Sequence, residues 1–184
     1  MSEVLKNELI ARAREDQEML QSLKDAGELP DDAYHPQLRQ LHKENTKWAK
    51  NLLLAEGWPT ISEVDEEGSD AMWLIVQHSV LDPDFMLSCV PELEGLVERH
   101  EAKGWQLAFL RDRALMLQGK PQVFGTQHVL DCNGELKPYE IADPEGVDDR
   151  RTAVGLEPLA ERTRLLQADR QKVQRARAGK EISD

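Results

Sequence analysis

The stretch Trp73-Leu74-Ile75-Val76-Gln77-His78 decides how this chain is read. It is the most apolar run in the sequence, and it ends abruptly in two polar side chains. Ile75 and Val76 would suit a strand. Ser69-Asp70 can cap a helix, however, and the length from 69 to 80 favours that reading. A helix that is apolar almost all round belongs in a core. It therefore delivers Gln77 and His78 into the interior, where polar groups need partners.

Upstream, Gly57-Trp58-Pro59 closes a helix that begins at His35-Pro36, because proline suits a first helical position. Leu38, Leu41, Asn45, Trp48 and Leu52 step down one face of it. At roughly 100° per residue, His42 lies about 40° from Leu38 on the helical wheel. His35, two turns earlier, and Asn45, three residues later, share that face. Between this helix and the apolar one, Thr60 to Gly68 reads as an acidic connection. Glu63 to Asp70 holds five carboxylates without the spacing of a calcium loop. Residues 3 to 26 read as a first helix with Leu5, Leu9, Ala13, Leu20 and Leu23 inward and a stop at Gly27. Its polar residues are dense, so it is expected to pack on one side only and to stand apart from any site. Glu28 to Tyr34, with Pro30 and two aspartates, reads as a loop.

Downstream, Asp82-Pro83 starts a helix running to about Ala102, kinked or broken at Pro91 and ended by Gly104. Trp105 to Gln118 is the next helix. Gln122 to Leu130 then alternates as a strand does, Asn133-Gly134 signals a hairpin turn, and Leu136 to Ile141 is the return strand. Asp143-Pro144 opens a short helix through Val154. Glu157-Pro158 opens the last, whose basic end from Arg170 to Lys180 is expected to fray. The expected fold is mainly α, with six to seven helices and one β-hairpin. It divides into an N-terminal helical arm (1–30), a core domain (31–160) and a C-terminal helix with a basic tail (161–184).

The 184 residues can bury a core without metal or disulfide staples. Lys and Arg total 23 against 35 Asp and Glu, a net charge of −12 that argues against a nucleic-acid partner. Two cysteines make no disulfide framework, and neither has a zinc-finger neighbour. The first residues form no apolar signal core, and no run reaches membrane-spanning length. A cytoplasmic protein with reduced thiols and no membrane partner is the expectation.

Several motifs together resemble a bacterial family known only as a domain of unknown function. They are His35-Pro36-x5-His42-x2-Asn45, Gly57-Trp58-Pro59, Trp73-Leu-Ile-Val-Gln77-His78, Asp82-Pro83, Asp112-Arg113 and Gly125-Thr126-Gln127. The resemblance runs from about Tyr34 to Leu159. It implies one recurrent domain and no mechanism. His128 departs from it, standing where relatives often carry an aromatic or apolar residue. Ser79-Val80-Leu81 varies in the family, so those residues are not expected to carry chemistry.

Two constellations carry chemistry. Three imidazoles, His35, His42 and His78, could bind a divalent ion. But His35 and His42 lie about 10 Å apart along an ideal helix, too far for one ion. The favoured reading is metal-free: His42 and His78 as acid–base groups, with His35, Asn45, Gln77 and Gln127 holding a polar small molecule. Arg113 would hold an anion, oriented by Asp112 or another carboxylate. No cofactor is expected, with a divalent metal as the lesser possibility. Gly-x-Ser-x-Gly, phosphate-loop and dinucleotide fingerprints do not occur. The rival function is an acidic protein–protein module of the immunity or antitoxin type. A solid core at Gln77 and His78 would favour it.

Overall fold

The computed structural model describes residues 2–29 and 34–181; of residues 176–181 only the backbone is described. Residues 30–33, within the expected loop, lie outside it. The order is α1 (Ser2–Asp25), α2 (Pro36–Glu56), α3 (Ile61–Gln77), α4 (Pro83–Ser88), α5 (Val90–Glu98), α6 (Gly104–Leu117), β1 (His128–Leu130), β2 (Leu136–Pro138), α7 (Val147–Ala153) and α8 (Leu159–Glu181). The fold is mainly α with one two-stranded antiparallel hairpin. No described helix is long and apolar enough to cross a membrane.

Helix α3 is the spine, with α1, α2 and α6 packed along it. Val64, Met72, Ile75 and Val76 lie at its core face and meet Leu9, Ala49, Leu93, Leu96 and Leu110 from the helices around it. Each fully buried aliphatic side chain of this kind contributes about 1.5–3 kcal/mol. Trp73 stacks edge-on against Trp105 and Phe109 of α6, and its indole N–H donates to the Gln106 carbonyl at 2.9 Å.

The start of α3 differs from the expected cap at Ser69. The helix begins at Ile61, where Thr60 and Glu63 form a reciprocal capping box. Asp65 then breaks it, with φ 56° and ψ −174°. Such a backbone costs a non-glycine residue about 1–3 kcal/mol. The Asp65 carboxylate offsets part of this by accepting from the N–H groups of Glu67 and Gly68 at 3.0 and 3.2 Å. Asp65, not Ser69, is thus the cap of the apolar half, and Ser69 is fully buried one turn inside.

Helices α4 and α5 meet at Cys89, which puts Pro91 in the first turn of α5, where its missing N–H is harmless. Gly104 opens α6 rather than ending the helix before it. A Cβ there would come within 2.9 Å of the Val154 backbone, so this approach of α6 to the end of α7 needs glycine.

The strand expected from Gln122 to Leu130 shrinks to β1, which pairs His128 with Pro138 and Leu130 with Leu136. The reason is Asp112 of α6. Its buried carboxylate accepts from the N–H groups of Val123, Phe124 and Thr126 at 2.7–3.1 Å, and this curls the backbone out of a ladder. Arg151 of α7, 1% exposed, completes the anchorage by donating to the carbonyls of Phe124 and Glu157. The last helix, α8, runs through the basic stretch to Glu181.

Candidate functional site

Leu9, Asp16 and Leu23 are the buried residues of α1, seven positions apart. A carboxylate therefore occupies the middle of a leucine stripe, and Asp16 is only 1% exposed. Helix α2 brings His42 to it from the side, and His78, which caps the C-terminus of α3, arrives from the end. His78 Nδ1 lies 2.9 Å from both Asp16 oxygens. An ionised carboxylate only accepts, so His78 Nδ1–H donates. His42 Nε2 lies 2.8 Å from Oδ2 of the same carboxylate, yet off the line of a hydrogen bond, and it is left without one. The other ring nitrogen of His42, Nδ1, is hydrogen-bonded to the Tyr34 hydroxyl. The two imidazole centroids stand 5.0 Å apart.

Burial pushes the Asp16 carboxyl up. The hydrogen bond from His78 and the closeness of both imidazoles outweigh burial and hold it well below the usual carboxylate range. The neighbours thus favour the ionised form of Asp16, clamped between two imidazoles.

The helices that carry these groups are tied beside the cluster. The single hydroxyl proton of Thr46, one turn beyond His42, is shared between the His42 carbonyl at 2.6 Å and the Ser79 hydroxyl oxygen at 2.9 Å. Ser79 donates in turn to the Ile75 carbonyl. That chain of bonds fixes α2 against the turn that bears His78.

His42 and His78 meet, as the apolar faces of their helices suggested. The other expected site residues disperse. His35 is the N-cap of α2, with φ −56° and ψ 132°, so the wheel argument that set it beside His42 does not reach it. Its Nδ1 accepts from the Gln37 N–H at 3.3 Å. Asn45 is buried but faces α1, accepting from Arg12 at 3.0 Å, while the Arg12 guanidinium lies over the Trp48 ring. Gln77 is 2% exposed. Its amide nitrogen reaches the Phe109 carbonyl at 3.4 Å, and its side-chain oxygen is buried without a partner. Arg113 of α6 lies 3.4 Å from the Gln77 carbonyl and 3.4 Å from the Gln127 side-chain oxygen. Asp112 does not orient it, being occupied with the loop. Burial pulls the Arg113 guanidinium below its usual value. Gln77, Arg113 and Gln127 thus form a second polar group, joined to the histidine cluster through the Gln77–His78 peptide.

Sequence reasoning missed Asp16 and Tyr34. The signal for Asp16 was present: it sits midway between Leu9 and Leu23 at heptad spacing. Helix α1 is therefore not peripheral to the site; it supplies the anion at the centre. Tyr34 ends a stretch read from the sequence as a loop and carries no periodic signal.

Ligand atoms from Asp16, His42 and His78 lie within 4.8 Å of one another. Two imidazoles and a carboxylate can hold a divalent ion, or they can pass a proton between a bound molecule and the interior. Comparison with curated proteins finds no match, and comparison with solved structures finds none. A family model does match, over residues 3–174, and so takes in α1 as well as the stretch from Tyr34 to Leu159. The chain belongs to DUF6624, a family of unknown function.

Proposed function

We propose that Asp16, His42 and His78 form a proton-transfer centre for a polar small molecule that carries an acidic group. The observation behind this is the carboxylate of Asp16, buried to 1% exposure and contacted by two imidazoles. A purely structural buried acid is more economically satisfied by backbone N–H groups, as Asp112 is. In the metal-free centre Asp16 fixes the tautomer of His78, leaving Nε2 as the atom that takes or gives a proton. Arg113 is the anchor for the acidic group. Among the described residues its polar contacts are two long ones to neutral oxygens, so its charge is poorly spent within the protein. Gln77 and Gln127 flank it with amide groups that can donate or accept.

The test is a melting-temperature screen of small mono- and dicarboxylates and phosphomonoesters, followed by calorimetry on the hits. His42→Gln, His78→Gln and Arg113→Gln should each remove the response, with the fold intact by circular dichroism. A hit that binds all three variants as it binds the wild type would overturn the reading. The acidic interaction module is the second reading. Its support is the net charge of −12 together with Val4 and Leu54, apolar side chains left 74% and 89% exposed. A stable protein complex weakened by Leu54→Glu and indifferent to His42→Gln would favour it.

A further inference from the structure

We propose that the same three side chains form a mononuclear site for a divalent first-row transition ion. Its protein ligands are His42 Nε2, one Asp16 oxygen and His78 Nδ1, the ring proton of His78 moving from Nδ1 to Nε2 to free that lone pair. The inference rests on the centre described above and names the cofactor it takes.

The donor set comes first. Two imidazole nitrogens and a carboxylate oxygen suit zinc, iron, manganese or cobalt in the divalent state, and leave open positions for water or a substrate. Spacing comes second. Bonds of about 2.1 Å set neighbouring ligand atoms about 3.0 Å apart at octahedral angles and about 3.4 Å apart at tetrahedral ones. The two separations involving Asp16 are 2.8 Å to His42 and 2.9 Å to His78.

The third observation is the odd alignment of His42. Its Nε2 is buried, lies close to a carboxylate oxygen, and makes no hydrogen bond. A lone pair turned toward an anion is repulsive, and a proton placed there would point away from the oxygen. Two ligands that converge on a third point have this geometry, because each is aimed at the ion and neither at the other. Tyr34 contributes fourth. With its hydroxyl accepting from His42 Nδ1–H, the free lone pair of that ring is on Nε2, and the ring orientation is fixed. Finally, the cluster is braced by the Thr46–Ser79 bond, and the His78 side chain, 18% exposed, keeps it within reach of solvent. A bound ion would supply a water of lowered pKa to transfer the proton in place of the His78 imidazole.

The full chain, stripped with a chelator and dialysed, is titrated with Zn²⁺, Mn²⁺ and Co²⁺ by calorimetry. One ion per chain should bind, the melting temperature should rise, and Co²⁺ should give a visible absorption band. His42→Ala and His78→Ala should each abolish that band and cut affinity at least about 100-fold. Tyr34→Phe should cut affinity about 10-fold, as loss of an outer partner does. His35→Ala should change nothing. Asp16→Asn is the isosteric third variant; if it fails to fold, the two histidine variants decide. The proposal falls if no ion binds, or if several ions bind weakly and His42→Ala leaves them in place, since that is diffuse binding to an acidic surface. The two readings separate cleanly. Small-molecule binding to the stripped protein with no ion uptake keeps the proton-transfer centre and ends the metal site. Stoichiometric ion uptake with no small-molecule response does the reverse.

Discussion

Two buried carboxylates in this protein do opposite things. Asp112 is fully buried and, among the described residues, its hydrogen bonds come only from backbone N–H groups, those of Val123, Phe124 and Thr126. Asp16 is buried as deeply and is held by two imidazoles, with the Gln17 side-chain amide as a longer contact at 3.4 Å. Amide N–H groups cannot leave or change charge, so Asp112 is a fixed bracket for a loop. Imidazoles can lose or gain a proton, rotate and take a metal, so Asp16 sits in a setting that can change state. Burial alone does not separate structural from functional acids; the chemistry of the partners does.

The largest expected effect is on the bracket. Asp112→Ala strands three N–H groups, those of Phe124 and Thr126 buried, and should cost about 3–5 kcal/mol in urea unfolding, taking site function only through loss of the fold. A loss below about 1 kcal/mol would show that the loop does not depend on it. Asp16→Asn should cost less, about 1–2 kcal/mol, since the amide keeps an acceptor for one imidazole. Yet it should remove ligand response altogether. If its stability loss matched that of Asp112→Ala, the contrast between the two acids would collapse.

Coupling sharpens the comparison. In a double-mutant cycle, Asp16→Asn with His42→Gln should couple by about 0.5–3 kcal/mol, while Asp16→Asn with Asp112→Ala should add within about 0.5 kcal/mol. Coupling between the two acids would mean that they belong to one network. Arg113→Gln should shift stability by under about 1 kcal/mol while weakening an acidic ligand about tenfold. Equal loss of stability and affinity would mark Arg113 as structural.

The smallest effect concerns thiols. Burial pushes the Cys89 thiol from its ordinary 9.0 up to about 12, whereas Cys132 is exposed at the hairpin. Iodoacetamide at pH 8 should therefore label one cysteine in the native protein and two in urea. The raised value also means that the folded state holds this proton longer. Its contribution to stability is intact below about 9 and lost as pH climbs toward about 12. Native labelling of Cys89 at pH 8 would contradict this.

The helices were legible because their ends carry stereochemical marks. Gly27 and Gly57 sit at φ 70° and 77°, and Pro36 and Pro83 open α2 and α4 as proline does. The meeting of His42 and His78 followed from two apolar faces that had to pack. Asp16 was hidden by composition: Glu15, Gln17 and Glu18 around it made an inward acid look like one more solvated charge. The early start of α3 was hidden because Asp65 takes a backbone shape usually left to glycine. The strand before His128 failed for a non-local reason. Its alternation is genuine, but Asp112, on another helix, claims its N–H groups first.

The stripe of Leu9, Asp16 and Leu23 has one more consequence. A helix packed only through leucines seven residues apart can slide by two turns and still find apolar contact. Asp16 forbids this in α1, because a seven-residue slip would set Leu9 or Leu23 against two imidazoles and leave a bare carboxylate among side chains with nothing to offer it. The histidines lie 26 and 62 positions further along the chain. The register of the first helix and the assembly of the centre are thus one event, and a chain with α1 docked out of step has no centre at all.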